Sequence, residues 1–303
     1  MKLLVTGAWK EATSHFEELQ KMGFEVIWMQ DERAALPLDS EKVEAIICNG
    51  LFLHHSLDCF PSLRYIQLTS AGYDRVPMGE IAERGIKIFN AKGVYSVPMA
   101  EFAICGVLQL YKQSRFFLRN QQQHRWEKHR GLLELCSKTV CIVGIGSVAK
   151  ACAERFRVFG CSVLGVNIRP RPCDYFEHVY GMHELDQVLK LADIVVLAVP
   201  LTDQTRHLMN AARLRIMKPG ALLVNLARGA IVDTEALLEV LDTHLGGAIL
   251  DVFEKEPIDA ASPLWDKDNV LITPHNSFVG DGNQERLLNV IMENLAEYCA
   301  RLG

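Results

Sequence analysis

Six runs rich in Val, Ile and Leu recur through the later two thirds of the chain. They are "KTVCIVGIG" (138–146), "CSVLGVN" (161–167), "ADIVVLAVP" (192–200), "GALLVNLA" (220–227), "GGAILDVF" (246–253) and "NVLITP" (269–274). Near-continuous apolar runs of this kind fit strands buried on both faces. The intervening stretches include "VAKACAERFRVFG" and "TEALLEVLDTH", which are compatible with helices. Strand–helix alternation predicts a parallel sheet with helices on both faces, and six strands in two halves predict the doubly wound arrangement.

The first third repeats the pattern. Strands are expected at "KLLVT" (2–6), "EVIWM" (25–29), "AIIC" (45–48) and "RYIQLT" (64–69). A helix is expected over 11–23, where Phe16, Leu19 and Met22 share a face and Gly23 stops it. The spacing predicts one long helix from Val97 to about Arg125 with Pro98 in its first turn, and a terminal helix over 283–303. A chain of 303 residues has room for about two such domains.

The net charge of −5 does not favour nucleic acid or an anionic membrane as partner. The apolar stretch in "MKLLVTGAWKE" is too short for a signal peptide, and no apolar run reaches membrane-spanning length. The nine cysteines include no C-x-x-C pair, and the histidines no H-E-x-x-H pair. Reduced thiols in a cytoplasmic protein without a metal site are therefore expected.

"VCIVGIGSVAK" (140–150) sets G-x-G-x-x-A directly after a strand and at the start of a helix. Gly144 permits the tight turn, Gly146 lets the backbone approach a pyrophosphate, and Ala149 takes the third small position at the helix–strand contact. The helix N-terminus offers free N–H groups to the phosphates. A plain βα turn is the alternative, but the strand before and the helix after favour a dinucleotide.

The group that reads the adenosine ribose should end the second strand about 20 residues on. Asn167 stands there, followed by Arg169 and Arg171. A carboxylate would bind both ribose hydroxyls and repel a 2′-phosphate. Asn removes that repulsion, and the arginines can bind a phosphate. NADP is therefore favoured, with NAD possible; two incidental arginines on a solvated loop are the alternative.

Three later runs end in polar residues: Arg228 before Gly229, Asp251 with Glu256 before Pro257, and His275 after Pro274. Polar groups at the carboxyl ends of parallel strands converge where a cofactor lies. Arg can grip both oxygens of a carboxylate. His can donate a proton near neutral pH, and a carboxylate beside it favours its charged form. Together they fit hydride transfer to a 2-oxo acid.

At these residues the chain resembles the D-isomer-specific 2-hydroxyacid dehydrogenases. The shared stretches are "SAGYDRV" (70–76), "AEF" (100–102), "VGIGSVA" (143–149), "AVPLTDQTRHLMN" (198–210), "MKPGALLVNLARGAIVDTEAL" (217–237), "LDVFEKEPI" (250–258), "PLW" (263–265) and "NVLITPH" (269–275). The resemblance implies an NAD(P)-dependent oxidoreductase with Arg228 binding carboxylate and carbonyl, Glu256 partnering the histidine, and His275 donating the proton. It implies cofactor contacts at Ser147, Val148, Pro200, Thr205, Leu226, Ala227 and Asp251. It places Ala71 and Gly72 at the turn holding the substrate carboxylate.

It also implies an α/β architecture of two doubly wound parallel-sheet domains. A Rossmann cofactor domain (93–279) would be inserted in a flavodoxin-like substrate domain (1–92 with 280–303), and the long helix would pair two copies as a homodimer. Leu51, Phe52 and Tyr95 should line the side-chain pocket and suit a small or apolar 2-oxo acid such as glyoxylate or hydroxypyruvate. A phosphoglycerate dehydrogenase-like enzyme and an NAD(P)H-sensing, corepressor-like module are the alternatives. Asn167 departs from the family's usual acid, and Asn276 stands where a small apolar residue or glycine is common.

Overall fold

The computed structural model describes residues 1–301. The chain forms two compact units, Met1–Tyr95 joined by the segment from Gly280 onward, and Ser96–Val279. The last two residues of the expected terminal helix, 302–303, lie outside the described residues.

The first unit is built on a five-stranded parallel sheet: β1 (Lys2–Thr6), β2 (Glu25–Met29), β3 (Ala45–Cys48), β4 (Tyr65–Leu68) and β5 (Lys87–Phe89). Their order is β2-β1-β3-β4-β5. Helix α1 (Phe16–Lys21), extended by a 3-10 turn over Ala12–His15, follows β1 and stops at Gly23, whose φ is 91°. Helix α2 is Met78–Glu83.

In the second unit, α3 (Ser96–Tyr111) and α4 (Ser114–Gln122) stand where one long helix was expected. The chain breaks at Gln113, which takes a left-handed φ of 53°. The Gln113 side chain donates to the Leu110 carbonyl at 3.1 Å, covering an orphan carbonyl at the end of α3. Beyond the break, Arg115 donates to the Lys267 carbonyl at 2.8 Å and Arg119 grips Asp268 at 3.0 Å, so α4 is aimed by distant partners.

The remaining elements alternate: β6 (Thr139–Val143), α5 (Ser147–Val158), β7 (Ser162–Asn167), β8 (His178–Gly181), α6 (Leu185–Leu189), β9 (Ile194–Leu197), α7 (Ala211–Ile216), β10 (Leu222–Asn225), α8 (Thr234–Leu241), β11 (Gly247–Leu250) and β12 (Val270–Ile272). The sheet has seven parallel strands in the order β12-β11-β10-β9-β6-β7-β8, doubly wound about the β6–β9 pair. The six runs read from sequence all form strands. β5 and β8 were not foreseen; both are sheet edges with mixed polar and apolar residues. Helix α9 (Asn283–Ala300) packs Leu287, Ile291, Leu295 and Tyr298 into the first unit's core.

Among the described residues, no helix is long and apolar enough to cross a membrane, and no cluster of metal-binding side chains occurs. All nine cysteines are unpaired. Burial pushes the Cys141 and Cys152 thiols up to about 12, which leaves them protonated and inert.

Candidate active site

The turn after β6 is shaped for close approach. Gly144 has φ 90°, and a methyl there would sit 2.7 Å from the Ala198 carbonyl oxygen. Gly146 lies against open space, with no atom within 4 Å of an added methyl. Helix α5 starts at Ser147, and no side chain caps its N-terminus. Ser147 and Val148 are half-buried in its first turn, while Ala149 is fully buried against the sheet. An open cradle above uncapped helix amides fits a pyrophosphate.

β7 ends at Asn167, whose side-chain amide donates to the Arg169 carbonyl at 3.3 Å. Arg169 and Arg171 are exposed, with no ion-pair partner among the described residues. The end of β7 therefore carries two accessible cations and no acid.

The segment after β9 is held by its own threonine. The Thr205 hydroxyl donates to the Pro200 carbonyl at 2.7 Å and accepts from the Thr202 amide at 2.7 Å. Thr205 is thus buried in the turn, whereas Pro200 is exposed. Leu226 is likewise turned inward, 3% exposed in the apolar core, and Ala227 is half-buried.

Arg228 follows β10 on a turn clamped by Asn225, a buried polar residue that sequence reasoning missed. Asn225 donates to the Arg228 carbonyl at 2.9 Å and accepts from the Ala227 amide at 3.2 Å. The half-buried Arg228 guanidinium donates to the Ala227 carbonyl at 2.7 Å. Next to it, Gly229 tolerates no side chain, because a methyl would lie 1.8 Å from the Phe253 carbonyl carbon.

His275 Nδ1 lies 2.9 Å from Glu256 Oε2, and Glu256 Oε1 accepts from the Phe253 amide at 3.0 Å. The His275 backbone is left-handed, φ 52°, and its amide donates to the Asp251 carbonyl at 2.8 Å. Asp251 is completely buried. Its Oδ1 accepts from the Thr273 hydroxyl at 2.6 Å and the Asn276 amide at 2.7 Å, and its Oδ2 from the Ser277 amide at 2.9 Å. Asp251 thus uses both oxygens to hold the loop that bears His275. Phe278, also unforeseen, sets its ring edge-on to the imidazole at 6.1 Å and stays 40% exposed.

In the first unit, Ser70 donates to the Gly72 carbonyl at 3.1 Å and Asn90 to the Ala71 carbonyl at 2.6 Å. No acceptor among the described residues takes the Ala71 or Gly72 amide, so the turn keeps two donors for a carboxylate. The half-buried Tyr95 donates its hydroxyl to the Thr69 carbonyl. Leu51 is fully buried in the core with Leu57 and Phe60, and Phe52 packs edge-on to Phe60 at 6.2 Å. Leu51 is closed to solvent, and Phe52 is half-buried.

Residues 104–277 match the family described as D-isomer specific 2-hydroxyacid dehydrogenase, NAD binding domain. The glyoxylate reductase of Thermofilum pendens is 34% identical over 276 residues, 88% of this chain and 78% of that protein. The (S)-sulfolactate dehydrogenase of Chromohalobacter salexigens is 33% identical over 271 residues, 88% of this chain and 87% of the relative. A solved D-isomer specific 2-hydroxyacid dehydrogenase from Xanthobacter autotrophicus Py2, in complex with NADPH and MES, is 29% identical. It superposes with a TM-score of 0.79, covering 97% of this chain and 93% of that one.

Proposed function

Because the chain belongs to the D-isomer specific 2-hydroxyacid dehydrogenase family, we propose that it reduces small 2-oxo acids, glyoxylate and hydroxypyruvate foremost, to D-2-hydroxy acids, with NADPH preferred to NADH. The observation that carries the reading is the His275–Glu256 contact at 2.9 Å, held on a loop pinned by Asp251. A carboxylate on Nδ1 stabilises an imidazolium and leaves Nε2 to give its proton.

A bound reduced nicotinamide supplies the hydride. The chain's own residues do the rest. Arg228 binds the substrate carboxylate and carbonyl, and within the first unit the Ala71 and Gly72 amides are donors suited to a carboxylate. His275 passes its proton from Nε2 to the oxygen at C2 as negative charge develops there. Glu256 then holds the ring in place. In this reading Met1–Tyr95 with its C-terminal helix is the substrate unit, and Ser96–Val279 holds the dinucleotide at the Gly144–Gly146 turn.

Asn167, Arg169 and Arg171 support the NADPH preference, as does the NADPH held by the Xanthobacter relative. The preference for glyoxylate rests on relatives such as the Thermofilum enzyme. We further propose a homodimer formed through α3, α4 and the segment after them. Trp126 is 97% exposed there, and Leu118 and Leu133 are about half exposed, an apolar surface that suits a second copy.

The test is oxidation of NADPH and NADH with glyoxylate, hydroxypyruvate, pyruvate, a branched 2-oxo acid and phosphohydroxypyruvate. Fastest turnover with glyoxylate or hydroxypyruvate and NADPH is expected. Dinucleotide binding without turnover on any of them would instead make the protein a sensor.

A further inference from the structure

Three segments around the proposed site meet at a second histidine–carboxylate pair. His207 closes the turn that follows β9. Its backbone is left-handed, φ 47°, a conformation that strains a non-glycine residue. His207 Nε2 lies 2.8 Å from Glu254 Oε2. The other oxygen, Oε1, accepts from the hydroxyl of Thr234 at 2.7 Å and from its amide at 3.0 Å, at the first turn of α8. Burial pushes the Glu254 carboxyl up, but the bonds from Thr234 and His207 outweigh it and hold the group below the ordinary glutamate value. Glu254 therefore stays charged at neutral pH.

The backbone ties the same segments. The His207 amide donates to the Ala230 carbonyl at 2.8 Å and the Met209 amide to the Ile231 carbonyl at 3.0 Å, just past Arg228. Gly229 abuts Phe253 and Glu254 so closely that an added methyl would lie 2.4 Å from the Glu254 nitrogen. Two residues past Glu254 stands Glu256, anchored to the Phe253 amide at 3.0 Å and facing His275. Glycine would make the left-handed turn at lower cost. What a histidine adds there is the side-chain bond to Glu254.

We infer that His207 and Glu254 are a positioning pair: by joining the turn after β9 to the 253–256 loop, they lock that loop against the Arg228 turn and set where Glu256 holds the His275 ring. The inference rests on the function proposed above. Both side chains act through Glu256, so their loss falls on proton transfer rather than on binding of the 2-oxo acid.

The experiment compares His207→Gly, Glu254→Ala and Glu254→Gln, with His275→Ala as reference. It reads kcat and KM for glyoxylate at saturating NADPH, together with the thermal midpoint. His207→Gly relieves the backbone strain, so its midpoint should hold or rise. Its kcat should nonetheless fall about tenfold, with KM within about threefold, the cost of a small misplacement of the reacting groups. Glu254→Ala should lower kcat equally. Glu254→Gln should recover it to within about threefold, because the amide still accepts from Thr234 and can donate to a neutral imidazole. Unchanged kcat in His207→Gly and Glu254→Ala beside an inactive His275→Ala overturns the pair's role and leaves the proposed function standing. So does a kcat loss that follows the thermal midpoint, or one that glutamine does not relieve. A wild-type protein inactive on every 2-oxo acid overturns the proposed function first, and this role with it.

Discussion

His275 and Glu256 meet through Nδ1 and Oε2 at 2.9 Å, and both side chains remain about 40% exposed. The contact engages one ring nitrogen and leaves the other to face a substrate. His275→Ala should lower kcat about 10²-fold or more, the usual worth of a positioned general acid, while NADPH binding measured by fluorescence stays within about threefold. Full activity of that variant on every accepted 2-oxo acid sinks the assignment.

Asp251 is surrounded by donors from Thr273, Asn276 and Ser277. Asp251→Asn replaces one acceptor with an NH2 group, so two donors must face each other. The expected loss is about 2 kcal/mol of stability, seen as a lower thermal midpoint, with kcat reduced about tenfold because the His275 loop loses its clamp. An Asp251→Asn protein that keeps wild-type stability and shows only weaker dinucleotide binding would favour the cofactor contact expected from sequence over the clamp.

Arg169 and Arg171 are exposed beside Asn167 at the end of β7. Arg169→Ala and Arg171→Ala should each raise the KM for NADPH about tenfold, the worth of one charge-assisted contact, and leave the KM for NADH nearly unchanged. Asn167→Asp should move the preference toward NADH through repulsion of the 2′-phosphate. Equal catalytic efficiency of the wild type with both cofactors would reduce the two arginines to ordinary loop residues.

Asp193 joins the start of β6 to the end of α7. It accepts from the Thr139 amide at 2.9 Å and pairs with Lys218 at 2.7 Å. Burial pushes its carboxyl up, but Lys218 and the Thr139 amide outweigh that and leave it below the ordinary value of 3.8. A carboxyl lowered by folding adds stability that is fully present above its unfolded value and is lost as pH falls through the folded one. Asp193→Asn should therefore be less stable than wild type by about 1 kcal/mol at neutral pH. That gap should close as the pH drops below 3.8. Denaturant midpoints across pH measure it, and a gap that persists in acid contradicts the account.

Much of the fold was legible because burial on both faces writes itself as continuous apolar runs. β2 and β3 occupy the residues read from sequence, 25–29 and 45–48. The edge strands β5 and β8 are short and partly solvated, so their composition carries no such mark. The break between α3 and α4 was illegible for another reason. Nothing in "YKQS" demands it, and Arg115 and Arg119 find their partners about 150 residues away. In the site, the residue types at the strand ends announced Arg228, Glu256 and His275. Of their supports, Asn225 read only as part of an apolar run, and Asp251 was singled out for the cofactor rather than for the loop that bears His275.

The sequence by itself determined the strand–helix alternation and the Gly144 turn, because these follow from periodicity and local steric limits that neighbouring residues set alone. Only the tertiary structure decided which way the polar groups face. Asp251 serves the His275 loop, Thr205 staples its own turn, Leu51 enters the core, and His207 reaches Glu254 across 47 residues. A side chain's hydrogen-bond partner is fixed by where distant segments pack, and that information is absent from any short stretch of sequence.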